Sequence, residues 1–118
     1  MTSSQMLKPF VREAIYSIKD EIDRSPFQKR DITVLANEAG IGRNLLQRGF
    51  KALFGHTIKK YRRYKCMERA GQLLDEGKLS IKQVALRCGY KSQGNLSAAF
   101  KEVFGVTPRE YQNRKSRK

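Results

Sequence analysis

Residues Gly89–Tyr111, GYKSQGNLSAAFKEVFGVTPREY, combine a glycine turn, an amphipathic helix and the start of another helix. Apolar side chains recur at helical spacing, which predicts one buried face; they are Leu96, Phe100, Val103 and Phe104. The opposite face is small and polar, with Gln93, Gly94, Asn95, Ser97, Ala98 and Lys101. Gly105 ends the helix, and Thr107 followed by Pro108 predicts the cap and first residue of a closing helix. The stretch therefore predicts a helix that can lie closely against a partner surface.

The composition indicates a polyanionic partner. The 118 residues include 25 Lys and Arg against 11 Asp and Glu, which gives a net charge of +14. An excess of this size is the electrostatic footprint of a nucleic-acid-binding protein. No apolar run approaches the roughly 20 residues that span a bilayer, and the N-terminus lacks the apolar segment of a secretory signal. We therefore expect a cytoplasmic protein with no membrane partner.

The residues that carry catalysis and metal binding are scarce. His56 is the single histidine, and Cys66 and Cys88 lack the spacing of a metal-binding pair. There is no glycine-rich phosphate loop and no carboxylate cluster. We expect two reduced thiols, no metal, no cofactor and no enzymatic activity.

Helical periodicity continues through the rest of the chain, and no segment shows the period-two alternation of a strand. Residues 7–22 form an amphipathic pattern with Leu7, Phe10, Val11, Ala14, Ile15, Ile18 and Ile22 on one stripe. Shorter helices are predicted over 33–39, 43–54 and 81–88, and a long one over 57–76. Ser80 with Gln83 fits a capping box. The fold class is therefore predicted to be all-α.

The two halves of the chain repeat one another. Ala36 and Gly40 match Ala85 and Gly89 at an offset of 49 residues, 85 minus 36. After the turn the offset becomes 50, and it pairs Leu46, Phe50, Lys51, Phe54, Gly55, Thr57 and Tyr61 with Leu96, Phe100, Lys101, Phe104, Gly105, Thr107 and Tyr111. The second copy therefore carries one extra turn residue. Each copy has the order of a helix-turn-helix unit.

This pattern resembles the DNA-binding domain of the AraC/XylS family of transcription regulators over about residues 7–112. The second motif carries the resemblance through Ala85, Gly89, Tyr90, Phe100, Lys101, Phe104, Gly105, Thr107, Pro108 and Tyr111. The resemblance implies two tri-helical helix-turn-helix subdomains, residues 1–56 and 77–118, joined by a connecting helix over 57–76. The second subdomain ends in a basic tail, 113–118, which we expect to be mobile. Many members have a separate ligand-binding domain, so the chain is expected to be either a stand-alone regulator or a DNA-binding portion.

The implied function is sequence-specific binding of double-stranded promoter DNA by a bacterial activator. The connecting helix would set two recognition helices, residues 43–54 and 93–104, about one DNA turn (~34 Å) apart, in successive major grooves of an asymmetric site. The resemblance also implies contact with RNA polymerase, and a nucleoid-associated location when the protein is bound.

Candidate contact residues follow from side-chain chemistry and position. Asn and Gln pair with adenine edges and Arg with guanine edges, so the base-contact candidates are Asn44, Gln47, Arg48, Gln93, Asn95 and Ser97. The candidates for contact with the DNA backbone are Arg43, Lys51, Lys91 and Lys101. Lys59, Lys60, Arg62 and Arg63 could add to that clamp.

The chain departs from the family pattern at a few positions. Cys66 stands where the pattern has a basic residue, and Arg62 stands where it has an apolar one. The segment from Pro26 to Thr33 is longer than usual. Gly94 and Ala98 remove side chains from the second recognition helix, which predicts that this helix discriminates less between bases.

Two other functions fit parts of the sequence. A general RNA-binding or ribosome-associated protein would account for the charge, but it predicts exposed aromatic residues for base stacking, and here the aromatics recur at core spacing. A DNA-modifying enzyme fragment would use Cys66 or Cys88 as a nucleophile, but neither has a histidine nearby in the sequence.

Overall fold

The computed structural model of the chain describes residues 7–116, and it describes side chains up to residue 114. This part of the chain contains seven α-helices and no strand. The helices are α1 (Pro9–Arg24), α2 (Ile32–Ala39), α3 (Arg43–Phe54), α4 (Ile58–Glu76), α5 (Ile81–Arg87), α6 (Gln93–Phe104) and α7 (Pro108–Ser116). The all-α prediction is confirmed. Helix α7 extends into the basic tail, whose last two residues, 117 and 118, lie outside the described residues.

The chain forms two compact units, and the division falls between Arg62 and Arg63, within α4. The first unit is built around a core from α1, α2, α3 and the start of α4: Val11, Ile15, Ile18, Ile22, Leu35, Ala36, Ile41, Leu46, Phe50 and Ile58. Phe10 was predicted to lie on the buried stripe of α1, but it is 61% exposed. Adjacent residues are about 100° apart around a helix, so Phe10 lies beyond the edge of the face that Val11 occupies.

The second unit has its own apolar core. Its buried residues come from α4, α5, α6 and the turn before α7: Cys66, Met67, Ala70, Leu73, Leu74, Val84, Ala85, Cys88, Leu96, Ala99, Phe100 and Val106. Phe104 stands at the margin of this core at 38% exposure, with its ring against those of Phe100 and Tyr111.

The turns of the two helix-turn-helix motifs begin with the same backbone geometry. Gly40 and Gly89 adopt φ values of 75° and 84°, a left-handed conformation that costs glycine little. The next amide closes each turn, from Ile41 to the Ala36 carbonyl (3.1 Å) and from Tyr90 to the Ala85 carbonyl (2.9 Å). The sequence repeat is therefore also a repeat of backbone structure.

The repeat includes a closing contact that the sequence comparison did not find. The hydroxyl of Tyr61 donates to Asp23, and that of Tyr111 donates to Asp75. Burial and the Asp23 bond raise the pKa of Tyr61 to about 12, so its hydroxyl keeps the proton that it donates. Asp75 and Asp23 are 52 positions apart, 75 minus 23, which aligns the later part of α4 with α1. Helix α4 thus begins as the closing helix of the first unit and continues as the first helix of the second.

Arg62 anchors the long loop between α1 and α2. Its side chain is partly buried, and Nη2 donates to the carbonyl of Arg30 at 2.5 Å. Arg30 in turn pairs with Glu21 at 2.9 Å and with Glu38. Burial lowers the pKa of Arg62. One nitrogen of the Arg62 guanidinium is therefore used inside the first unit, and a part for Arg62 in a phosphate clamp stays a prediction. This bond joins the two departures from the family pattern, the arginine and the long loop.

The helical glycines Gly71 and Gly49 allow a matched test of packing. A Cβ added at Gly71 would lie 3.8 Å from Phe104 and from the Tyr111 hydroxyl, which is ordinary contact, whereas one at Gly49 would lie 2.5 Å from Cδ1 of the buried Ile15. Alanine is favoured over glycine in a helix by about 1 kcal/mol, and overpacking costs about 1–3 kcal/mol. We expect Gly71→Ala to raise the free energy of unfolding by about 1 kcal/mol. Gly49→Ala should leave it unchanged or lower it by up to about 2 kcal/mol. Chemical denaturation measures both, and equal gains would contradict the predicted clash.

Candidate nucleic-acid interface

The exposed face of α3 is set by the residues that bury its other face. Leu46, Gly49 and Phe50 are buried, so positions half a turn away point outward. The exposed side chains include the sequence candidates Arg43, Asn44, Gln47, Arg48 and Lys51. The structure thus brings these five predicted contact residues together on one helix surface.

Charge in the first unit is concentrated in the part of the chain that contains α3. The segment from Gly40 to Arg62 contains no Asp or Glu and holds six basic residues, Arg43, Arg48, Lys51, Lys59, Lys60 and Arg62. Residues 7–39 contain six basic and six acidic residues. The net positive charge of the first unit therefore comes from α3 and the first turns of α4, as a surface that meets a polyanion requires.

The buried face of helix α6 consists of Leu96, Ala99 and Phe100, which are equivalent to the buried residues of α3. Of the sequence candidates around it, Lys91, Gln93, Asn95 and Lys101 are exposed, whereas Ser97 is partly buried. Ser97 is therefore the least accessible of the proposed base contacts. At an offset of 50, Gly94 takes the place of Asn44 and Ala98 takes that of Arg48. The middle of the exposed face of α6 consequently lacks long side chains.

The two recognition helices begin with different N-cap residues. Ser92 is the N-cap, and its Oγ accepts a hydrogen bond from the Asn95 amide at 3.1 Å. In α3 the N-cap is Gly42, which has no side chain to offer. At an offset of 50, Ser92 takes the place of Gly42, so the second copy has a side-chain cap next to Gln93 and Asn95.

An ion pair on α6 was missed by the sequence comparison. Nη1 of Arg63 donates to Oε1 of Glu102 at 3.1 Å and lies 3.0 Å from Oε2. Burial raises the pKa of Tyr90, and Arg63 partly opposes that rise. The contact with Glu102 places Arg63 beside the last full turn of α6. Helical periodicity could not reveal this pair, because its members are 39 positions apart.

The remaining candidate chemistry finds little support. Cys66 and Cys88 are at most 1% exposed, so neither thiol is accessible as a nucleophile. Within residues 7–114, no three His, Cys, Asp or Glu side chains are grouped to hold a metal ion. None of the helices described here is both long and apolar enough to cross a membrane.

Comparison with known proteins agrees with this architecture of two helix-turn-helix motifs. A family model described as "Helix-turn-helix domain" matches residues 35–114. The multiple antibiotic resistance protein MarA of Escherichia coli K12 is 33% identical over 97 residues, 82% of this chain and 76% of that protein. The F1 operon positive regulatory protein of Yersinia pestis is 35% identical over 106 residues, 90% of this chain and 35% of that protein. The crystal structure of the DNA-binding domain of the transcriptional factor AdpA, bound to a target DNA, has a TM-score of 0.79 at 24% identity, over 88% of this chain and 95% of that one.

These matches identify the family of the chain. The chain is a double helix-turn-helix protein, and it belongs to the AraC-type family of transcription regulators. The comparisons support the DNA-binding prediction and give no support to the RNA-binding alternative. The chain spans between 8% and 35% of the length of four relatives that it matches, the Y. pestis regulator among them.

The difference between the two N-caps gives a stability prediction. Ser92→Ala should lower the free energy of unfolding by about 1 kcal/mol, because the amide at the start of α6 loses its acceptor. Ser92→Gly should lower the free energy of unfolding by only a few tenths of a kcal/mol. Gly42→Ser, at the start of α3, should raise it by about the same small amount. Chemical denaturation of the three variants provides the test. Equal stability of Ser92→Ala and wild type would show that the cap contributes nothing.

Proposed function

We propose that this chain binds double-stranded DNA sequence-specifically, with α3 and α6 as recognition helices, and thereby regulates transcription. The observation that carries the proposal is the pair of equivalent exposed faces, on α3 and α6, each opposite a buried leucine and phenylalanine. A helix presented in this way by a helix-turn-helix unit enters the major groove with its N-terminal residues toward the bases.

Base discrimination is assigned mainly to α3. Arg48 has the donor geometry for guanine, and Gln47 and Asn44 have that for adenine. On α6 the base contacts are assigned to Gln93, Asn95 and Ser97, which stand at its first turns. Because Gly94 and Ala98 offer no polar side chain, α6 is expected to contribute less discrimination, or to act through thymine methyl groups and DNA shape.

Contacts with the DNA backbone are assigned to Arg43, Lys51, Lys91 and Lys101. All four side chains are exposed. Lysine and arginine at the flanks of a recognition helix hold its register on the duplex without reading sequence. These contacts should also make the affinity depend steeply on salt concentration.

The proposed site on DNA is asymmetric and contains two half-sites in successive major grooves. Successive grooves on one face of B-DNA are about 34 Å apart, and the unequal chemistry of α3 and α6 predicts unlike half-sites. Footprinting on a selected duplex should show two protected segments one helical turn apart. A single protected segment would limit DNA reading to one helix.

RNA polymerase is proposed as a protein partner at promoters, on the basis of family membership. With that role the chain would work in the bacterial cytoplasm, on nucleoid DNA. In vitro transcription from a promoter that carries the selected site would show whether the chain activates or represses.

The roles of Arg48 and Lys101 can be separated by binding measurements. A duplex is first selected from random DNA with the wild-type chain. Arg48→Ala should cost about 1–3 kcal/mol on that duplex and relax specificity at one base, because a bidentate contact with guanine is lost. Lys101→Ala should weaken binding to the selected and random duplexes by the same factor, because a phosphate contact carries no sequence information.

Arg12→Ala is the matched control, since it removes one positive charge from an exposed position of α1, outside both helix-turn-helix motifs. It should leave the preference for the selected duplex intact. The assignment fails if Arg48→Ala, like Lys101→Ala, lowers the affinity for the selected and the random duplex by the same factor.

A further inference from the structure

The exposed face of α6 lacks the guanidinium that α3 carries at Arg48. The equivalent position is Ala98, and Lys101 is the basic residue within α6. Glu102 follows Lys101 on the exposed side and is four positions, about one turn, after Ala98. The charges of Lys101 and Glu102 cancel, so the residues of α6 carry no net charge. This is the helix that is proposed to approach a polyanion.

Arg63 brings a guanidinium to this place from α4. Its Nη1 lies 3.0 Å from Oε2 and 3.1 Å from Oε1 of Glu102. Glu102 is one turn after Ala98, so its carboxylate holds the guanidinium beside the last full turn of α6.

We propose that Arg63 contacts a DNA phosphate beside α6, supplying positive charge where Ala98 offers none, and that Glu102 is the residue that positions it. The inference rests on the proposed function, because it concerns how α6 lies on duplex DNA. Arg63 is the contacting residue, and Glu102 acts through it.

The geometry suits a phosphate contact better than a purely structural link. The side chains of Arg63 and Glu102 remain 45% and 62% exposed, and ion pairs this exposed add little to stability. A guanidinium has five N–H donors in a planar fork, and the Glu102 bonds use a single nitrogen. Arginine can therefore bind the carboxylate and a phosphate oxygen together. The pair also neutralises Glu102, whose charge would otherwise repel the duplex.

The test is a double-mutant cycle of DNA binding with the full chain, using the selected duplex and a random duplex over a range of salt concentrations. Arg63→Ala should weaken binding to both duplexes by the same factor, about five- to tenfold, and should lower the slope of log K against log salt by about one. Arg63→Gln serves as a second variant that keeps the length of the side chain. Circular dichroism and thermal unfolding confirm that each variant is folded.

Glu102→Gln separates positioning from plain charge removal. In the Arg63→Ala background it should tighten binding, because only a repulsive charge is lost. In the wild-type background the gain should be at least about threefold smaller, or reversed, because Arg63 also loses its support. A structural link without DNA contact would not change the salt slope.

The proposal is overturned if Arg63→Ala behaves like the Arg12→Ala control, or if Glu102→Gln changes affinity by the same factor in both backgrounds. The proposed function would survive either of these results, provided that the wild-type chain still selects a sequence and that Arg48→Ala still relaxes specificity. Loss of any preference of the wild-type chain for duplex DNA would overturn both.

Discussion

Complete burial of one leucine and one phenylalanine in each recognition helix determines the exposed surface of the protein. Leu46 and Phe50 in α3, and Leu96 and Phe100 in α6, have no solvent exposure. Two buried side chains four positions apart lie on the same side of a helix and fix its rotation about its own axis. With that rotation fixed, the residues on the opposite side have to face solvent. Core packing therefore decides which side chains are available to a partner.

Much of this arrangement can be predicted from the sequence, because it depends on local patterns. Apolar spacing predicts α6 at residues 93–104, where the structure has it. The capping box of Ser80 with Gln83 is present with both of its hydrogen bonds. Gly105 ends α6 in the left-handed conformation. Each of these signals lies within a few residues of the feature that it predicts.

The sequence patterns do not predict contacts between distant positions. Phe10 was assigned to the apolar stripe of α1, yet it lies about 100° from Val11 around the helix and is exposed. Arg62 was interpreted as a surface cation, although its partner is the Arg30 carbonyl, 32 positions away. Arg63 and Glu102 are likewise 39 positions apart in the sequence, and the fold of the second unit brings them together. Polar pairs of this kind have no periodicity, so tertiary structure is needed to find them.

Helix α4 explains how the chain accommodates two complete units. Each unit needs a first helix, two helices of the helix-turn-helix motif and a closing helix that brings a tyrosine back to an aspartate. Tyr61 closes the first unit near the start of α4, and Asp75 near its end receives Tyr111 in the second. One helix of 19 residues thus serves as the closing helix of the first unit and as the first helix of the second. The described part of the chain therefore builds two four-helix units from seven helices. Because both hydroxyl-to-carboxylate contacts depend on this helix, α4 belongs to the core of each unit and is more than a connection between them.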